Sequence, residues 1–207
     1  MPQLTIAQAF ARAPKTSDKK SDPIPAPVVP PRPKKTQPVA KILFGPHGQH
    51  ADFNQFSLHS VGCKGVIYPT SLHLFQAFKF LGHRPDLAEQ IRRASTAALA
   101  VDIAHANQAH ARPDWLSVNI AKMEEALFLK FSQHPLLRQE LLSTADAELY
   151  QDSVTDSFWG VGPDLLGCNH LGQALERVRE SLGGAKAPVH KVLQCQVNKM
   201  SETWETS

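Results

Sequence analysis

Two stretches of the sequence combine residue types that chemistry uses. The first, Val66–Leu81, reads VIYPTSLHLFQAFKFL. A short β-like run turns at Pro69 and passes into a helix with Thr70 or Ser71 as N-cap. Leu74, Phe78 and Leu81 recur at i, i+4 and i+7 as a core face. Leu72, Gln76 and Lys79 share a second face, with His73 beside them. Gln, His and Lys among so many Phe and Leu suit a ligand-facing wall, and a surface helix with a wetted polar side suits the pattern equally well. The second stretch is Asp152–Asn169, where Asp156, Trp159, Gly160 and Asn169 lie just ahead of a helix start. Trp offers a stacking face, Gly lets a backbone approach, Asn and Asp make directional hydrogen bonds, and a helix N-terminus favours anions. Those are the needs of a polar ring-and-sugar ligand. An ordered loop pinned by a core Trp and an N-cap Asn reads the same way.

The elements that must position these residues follow from periodicity. Lys41–Phe44 is a short strand candidate before the Gly45-Pro46-His47-Gly48 turn, and Phe53–Phe56 and Lys64–Tyr68 continue a strand-and-turn region. Pro85-Asp86 starts a helix with Leu87, Ile91 and Ala94 on one side. Thr96–His110 is alanine-rich and helical in pattern. Asp114–His134 is the clearest helix, with Ile120, Met123, Leu127 and Phe131 at the 3.6 period and Lys122, Glu124 and Glu125 facing water. Pro135 ends it and starts another through Leu141-Leu142. Residues 143–168 take no assignment. Asn169 caps a last helix with Leu171, Leu175, Val178 and Leu182 inward, stopped by Gly183-Gly184. The fold class is α+β, a mostly helical single domain with a small β region. It spans residues 41–182, between a disordered Pro/Lys-rich tail (1–40) and a C-terminal tail (183–207).

Charge divides unevenly along the chain. Residues 1–40 hold seven of the 22 Lys+Arg and two of the 19 Asp+Glu, a net of +5, which leaves 15 basic against 17 acidic residues, a net of −2. The body is therefore no general polyanion binder, and attraction to nucleic acid sits in the tail. Nine of the sixteen prolines also fall there, so the segment favours extended conformations over a core. Lys19-Lys20 and Arg32-Pro33-Lys34-Lys35 resemble a bipartite nuclear localisation signal or a plain basic linker. Gln3–Phe10 resembles a sliding-clamp-binding box, with Ala9 in place of its first aromatic anchor. Cys63, Cys168 and Cys195 are widely spaced, which argues against a disulfide framework and a zinc site and for a reducing compartment. His47 and His50, or His105 and His110, lack third and fourth ligands at a usual spacing. Gly160-Val161-Gly162 lacks the third glycine of a dinucleotide loop, and no GxSxG, Walker or protein-kinase set is present. No metal and no cofactor are expected. With no apolar run near eighteen residues and no signal-like N-terminus, the expectation is an intracellular protein, cytoplasmic or nuclear, without a membrane partner.

One family carries these residues in this order. Pro69-Thr70, His73, Gln76-Ala77 and Lys79-Phe80 are followed by Arg112-Pro113-Asp114-Trp115, Met123 and Lys130-Phe131. Leu141-Leu142, Thr144 and Asp146 come next, then Asp156, Trp159-Gly160, Gly167, Asn169, Leu171-Gly172 and Arg179. The set resembles the NADAR (YbiA-like) family over nearly the whole body. The resemblance implies a mostly helical α+β fold and hydrolysis of an N-glycosidic bond to ribose. Members act on riboflavin-pathway intermediates or remove ADP-ribose from modified guanine. It places Gln76, Lys79, Trp115, Asp156, Trp159 and Asn169 around the substrate, with Asn54, Gln55, His73 and Gly160 as further binding positions.

Those residues suit the chemistry so implied. Cleaving a ribose–nitrogen bond develops positive charge on the sugar, which the Asp156 carboxylate could stabilise. A lysine in a partly apolar site loses its proton more readily and can attack a sugar carbon, a role that falls to Lys79 between Phe78 and Phe80. Three positions depart from the family pattern. Leu72 stands where that pattern has Glu, Asn54-Gln55 replaces a Ser/Thr-Asn pair, and Gln151 replaces an acidic residue. Losing a positioned acid/base commonly costs about 10²–10⁴ in rate. Two readings follow: an N-glycosidase impaired at Leu72, or an inactive module that binds a nucleotide-like small molecule or ADP-ribosylated nucleic acid. A third places the function in the tail, as a scaffold delivered to DNA.

Overall fold

A computed structural model describes residues 39–188 of the chain. The clamp-like box at 3–10 and the basic clusters at 19–35 lie outside the described residues. The described part belongs to the second of two units, residues 38–207.

The fold is mixed α+β and mostly helical. Strand β1 (Lys41–Phe44) opens it, and a hairpin follows of β2 (Val61–Cys63) and β3 (Val66–Tyr68), paired antiparallel. Helix α1 (Ser71–Ala77) then begins where Thr70, in extended backbone, accepts the His73 N–H on its Oγ1. All seven residues of α1 are buried, so it is not the amphipathic surface helix that its pattern allows. It is also shorter than the pattern suggests. After Ala77 the chain tightens, with Lys79 N–H donating to Gln76 O (3.2 Å) and Phe80 N–H to Ala77 O (2.9 Å). The tighter turn breaks the i, i+4, i+7 phase. Leu74 and Phe78 remain in the core, while Leu81 is 39% exposed.

Helices α2 (Pro85–Arg92) and α3 (Ala97–Ala106) pack on α1 and on each other. Helix α4 (Trp115–Gln133) supports the other side of α1. It buries Trp115, Asn119, Met123, Ala126, Leu127, Lys130 and Phe131 along one stripe. Helix α5 (Pro135–Ser143) starts with proline at its first position, as expected.

The stretch left without assignment contains a strand. Strand β4 (Glu148–Gln151) pairs parallel with β1, in register Lys41↔Glu148 through Phe44↔Gln151. Helix α6 (His170–Ser181) packs on both β4 and α4. Its approach depends on Gly172, where an added Cβ would run into the Leu149 carbonyl. Buried polar groups tie the same joint. The Leu149 N–H donates to Glu176 Oε1 (2.7 Å), and Arg179 Nη1 donates to Thr144 Oγ1 (2.7 Å) and Ala147 O (2.9 Å). Among the described residues no helix is long and apolar enough to cross a membrane, and no group of His, Cys, Asp and Glu could hold a metal. Cys63 is a buried free thiol.

Candidate functional site

Helix α1 and the turn after it bring Leu72, Phe75, Gln76 and Lys79 onto one face by three- and four-residue spacing. Phe75 is the link in this cluster. Its ring lies 5.0 Å from Trp115 and 5.4 Å, edge to face, from Trp159. Lys79 Nζ lies 5.5 Å from the centre of the Trp115 ring. The lysine is 1% exposed, and burial pulls its pKa from the ordinary 10.5 down to about 8. About a tenth of Lys79 is then neutral at pH 7, against well under a thousandth for a lysine in water. His105 on α3 also feels this site: burial first, and then the Lys79 charge, hold its imidazole pKa down.

Trp159 is set by its own loop. Asp156 Oδ1 accepts the N–H of Phe158 (2.9 Å) and of Trp159 (2.8 Å), and Ser153 Oγ accepts the Asp156 N–H (3.1 Å). Gly160 is required next to it, because an added Cβ would sit 2.7 Å from Ser153 Cβ and 3.0 Å from the carbonyl oxygens of Gln151 and Asp156.

On the other side, the 52–57 loop abuts the first turn of α1. The Gln55 carbonyl accepts the Leu72 N–H (3.1 Å) and the Ser71 hydroxyl (3.2 Å). Asn54 is buried and turns inward on itself, its Oδ1 accepting the Phe56 N–H (3.0 Å). Three amide oxygens, Oε1 of Gln55, Gln76 and Gln151, are buried without a hydrogen-bond partner among the described residues. A buried acceptor left so costs about 1–3 kcal/mol, which a bound donor recovers.

Like Asn54 and Asp156, two further sequence candidates are held by internal bonds. His73 bridges Thr70 Oγ1 (2.9 Å) and the Ala94 carbonyl (3.2 Å) through its two ring nitrogens, and burial lowers its pKa. Asn169 occupies the N-cap position of α6 with φ 52°, but its side chain makes no cap bond. It instead accepts the Gln151 N–H on Oδ1 (2.9 Å) and donates from Nδ2 to Leu149 O (2.8 Å), fastening β4. The cap failed because close packing at Gly172 puts the β4 backbone within reach of that side chain. Phe75 was not among the sequence candidates, Lys130 entered only through the family pattern, and His105 was weighed only as a metal ligand. Phe75 was open to detection, three residues after Leu72 and four before Lys79. Lys130 interrupts the apolar stripe of Met123, Leu127 and Phe131, which is itself a sign of a buried polar residue.

A hollow of about 430 Å³ opens elsewhere, between α4 and α6, lined by Ala121, Glu124, Glu125, Phe128, Val178 and Ser181. None of the candidate residues lines it.

The fold and cluster define a helical α+β domain that carries a buried, pKa-lowered lysine on an aromatic wall. The NADAR domain matches residues 42–183, and the chain belongs to the NADAR family. It is 36% identical over 140 residues to N-glycosidase YbiA of Escherichia coli K12, covering 68% of this chain and 86% of that protein. It is 37% identical over 131 residues to N-glycosidase Npun_R5314 of Nostoc punctiforme, covering 63% and 84%. A riboflavin biosynthesis protein of Vibrio vulnificus is 35% identical over 170 residues, 82% of this chain and 45% of its own length. The NMR structure of the E. coli protein YbiA superposes with a TM-score of 0.62 at 33% identity, covering 72% of this chain and 90% of that one.

Proposed function

We propose that the chain is a NADAR-type N-glycosidase that hydrolyses the bond between a ribose and a base nitrogen. The relatives' names, N-glycosidase and riboflavin biosynthesis protein, support the reaction class. The observation that carries the proposal is Lys79, buried against Trp115 with its pKa lowered to about 8. Its neutral amine attacks the sugar carbon, the carbon–nitrogen bond breaks, and the base leaves with the electron pair and takes up a proton. Water then displaces the lysine, so the net change is addition of water across the glycosidic bond. Trp159 and Trp115 supply faces for the base, and the Gln55 and Gln76 oxygens, without partners among the described residues, suit hydroxyl or amino donors of the ligand. Asp156, on the loop that carries Trp159, is the carboxylate assigned to the developing positive charge. ADP-ribosylated guanine and riboflavin-pathway intermediates are the substrate candidates.

A second reading rests on Leu72. It is 3% exposed and lies on the Lys79 face, where a carboxylate would be an acid/base and an alkyl group is none. The module would then bind a nucleotide-like or ADP-ribosylated ligand without cleaving it. Incubation of the protein with DNA bearing ADP-ribosylated guanine, and separately with riboflavin-pathway intermediates, decides between the two. Released base supports the enzyme, binding without product supports the reader, and neither binding nor release refutes both.

A further inference from the structure

Lys130 is fully buried on α4, away from the Lys79 cluster, and the chemistry above does not use it. Its Nζ donates to Asp52 O (2.5 Å), Asn54 O (2.8 Å) and Ser57 Oγ (2.6 Å). Three acceptors match the three N–H groups of an ammonium. The segment they fix, residues 52–57, is also anchored by Phe53, buried edge-on against Phe44 and Phe131, and it reaches α1 through the Gln55 carbonyl, which accepts from the Ser71 hydroxyl and the Leu72 N–H. We propose that Lys130 is a positioning residue for the α1 wall: it clamps the 52–57 loop, which in turn sets the Gln55 side chain and the first turn of α1. This rests on that wall being the ligand site. A methionine would fill the same space without taking a charge out of water, so stability alone gives little reason for an ammonium there, while defined geometry does.

The neighbouring charges agree with a clamp rather than an ion pair. Asp52 accepts through its backbone carbonyl, and its carboxylate lies 3.9 Å from His59 Nδ1. His59 meets Ser57 Oγ (3.2 Å) and stacks edge-on against His134 at 5.0 Å. Its imidazole pKa is lowered by burial and then by the Lys130 charge, with Asp52 and Glu140 opposing.

Amide hydrogen exchange on the full chain tests the clamp. In Lys130→Met, protection should fall at least about tenfold at Leu72 and across residues 54–57, while Leu127 and Leu175 keep theirs. Unchanged protection at Leu72, or an equal loss over the whole domain, would overturn the proposal. If Lys130→Met does not fold, Ser57→Ala removes one acceptor and should lower protection at the same amides about threefold; no change there would overturn it. ADP-ribose, titrated into both proteins, should bind about tenfold more weakly to Lys130→Met. Wild-type protein that does not bind ADP-ribose counts against the ligand reading of the site, and the exchange result still decides Lys130.

Discussion

The two buried lysines, Lys79 after α1 and Lys130 on α4, start from the same physics and end in different roles. Both are at most 1% exposed, and in both burial lowers the pKa, to about 8 for Lys79 and about 7 for Lys130. Their surroundings differ. Lys130 points into two backbone carbonyls and a hydroxyl, which fix its geometry and hold the loop that supplies them. Lys79 lies over an indole, in a cluster where Phe75 joins Trp115 to Trp159. An ammonium locked by three oxygens organises structure. Lys79 instead lies over the Trp115 ring, in an aromatic cluster of the residue types that a base-bearing ligand would use.

The largest expected effect comes from sharpening the Lys79 side of this contrast. Leu72→Glu restores a carboxylate on the face that carries the amine, and base release should rise by about 10²–10⁴. No gain, in a variant that melts like the wild type, would show that the missing carboxylate is not what limits the rate.

The next effect treats both lysines together. In the unfolded chain each holds its proton up to about the ordinary 10.5. Between the folded and unfolded values the unfolded chain carries the extra proton, so stability climbs with pH. The window runs from about 7 for Lys130 and about 8 for Lys79 up to about 10.5, and below 7 the penalty is complete and constant. Urea unfolding from pH 6 to 10 should show a rise of a few kcal/mol, and Lys130→Met should remove the part that begins near pH 7. A flat profile in the wild type would contradict the burial cost assigned to both.

Gly160→Ala perturbs the aromatic side without touching either lysine. The new Cβ meets Ser153 and two carbonyl oxygens, so a loss of about 1–3 kcal/mol is expected in thermal melts, with altered Trp159 fluorescence. A melt and spectrum equal to those of the wild type would mean that the loop has room the geometry denies it.

Much of this arrangement was legible from residue order. Proline at the start of α2 and α5, Thr70 as a cap and the apolar stripes of α4 and α6 rest on local rules that held, whereas the Asn169 cap did not. Strand β4 escaped because Glu-Leu-Tyr-Gln is short and its parallel partner β1 lies about a hundred residues away. Leu81 came out exposed because the tightened turn after Ala77 is a tertiary outcome that periodicity does not record. Lys79, Trp115 and Trp159 come together around Phe75. The side chains of His73 and Asn169 hold α1 and β4, which no spacing rule distinguishes from holding a ligand. Lys130 showed as a family-pattern residue and as a polar residue in an apolar stripe, but its partners sit more than seventy residues away.

Whether Lys79 is the nucleophile is decided by the rate of base release from wild type and Lys79→Ala, followed from pH 6 to 9. The Leu72→Glu background serves where the wild-type rate is too low to follow. The account predicts a rate that rises as pH passes through about 8, where Lys79 loses its proton, and a fall of at least about 10³ in a Lys79→Ala protein that still folds. Full activity in folded Lys79→Ala would contradict it.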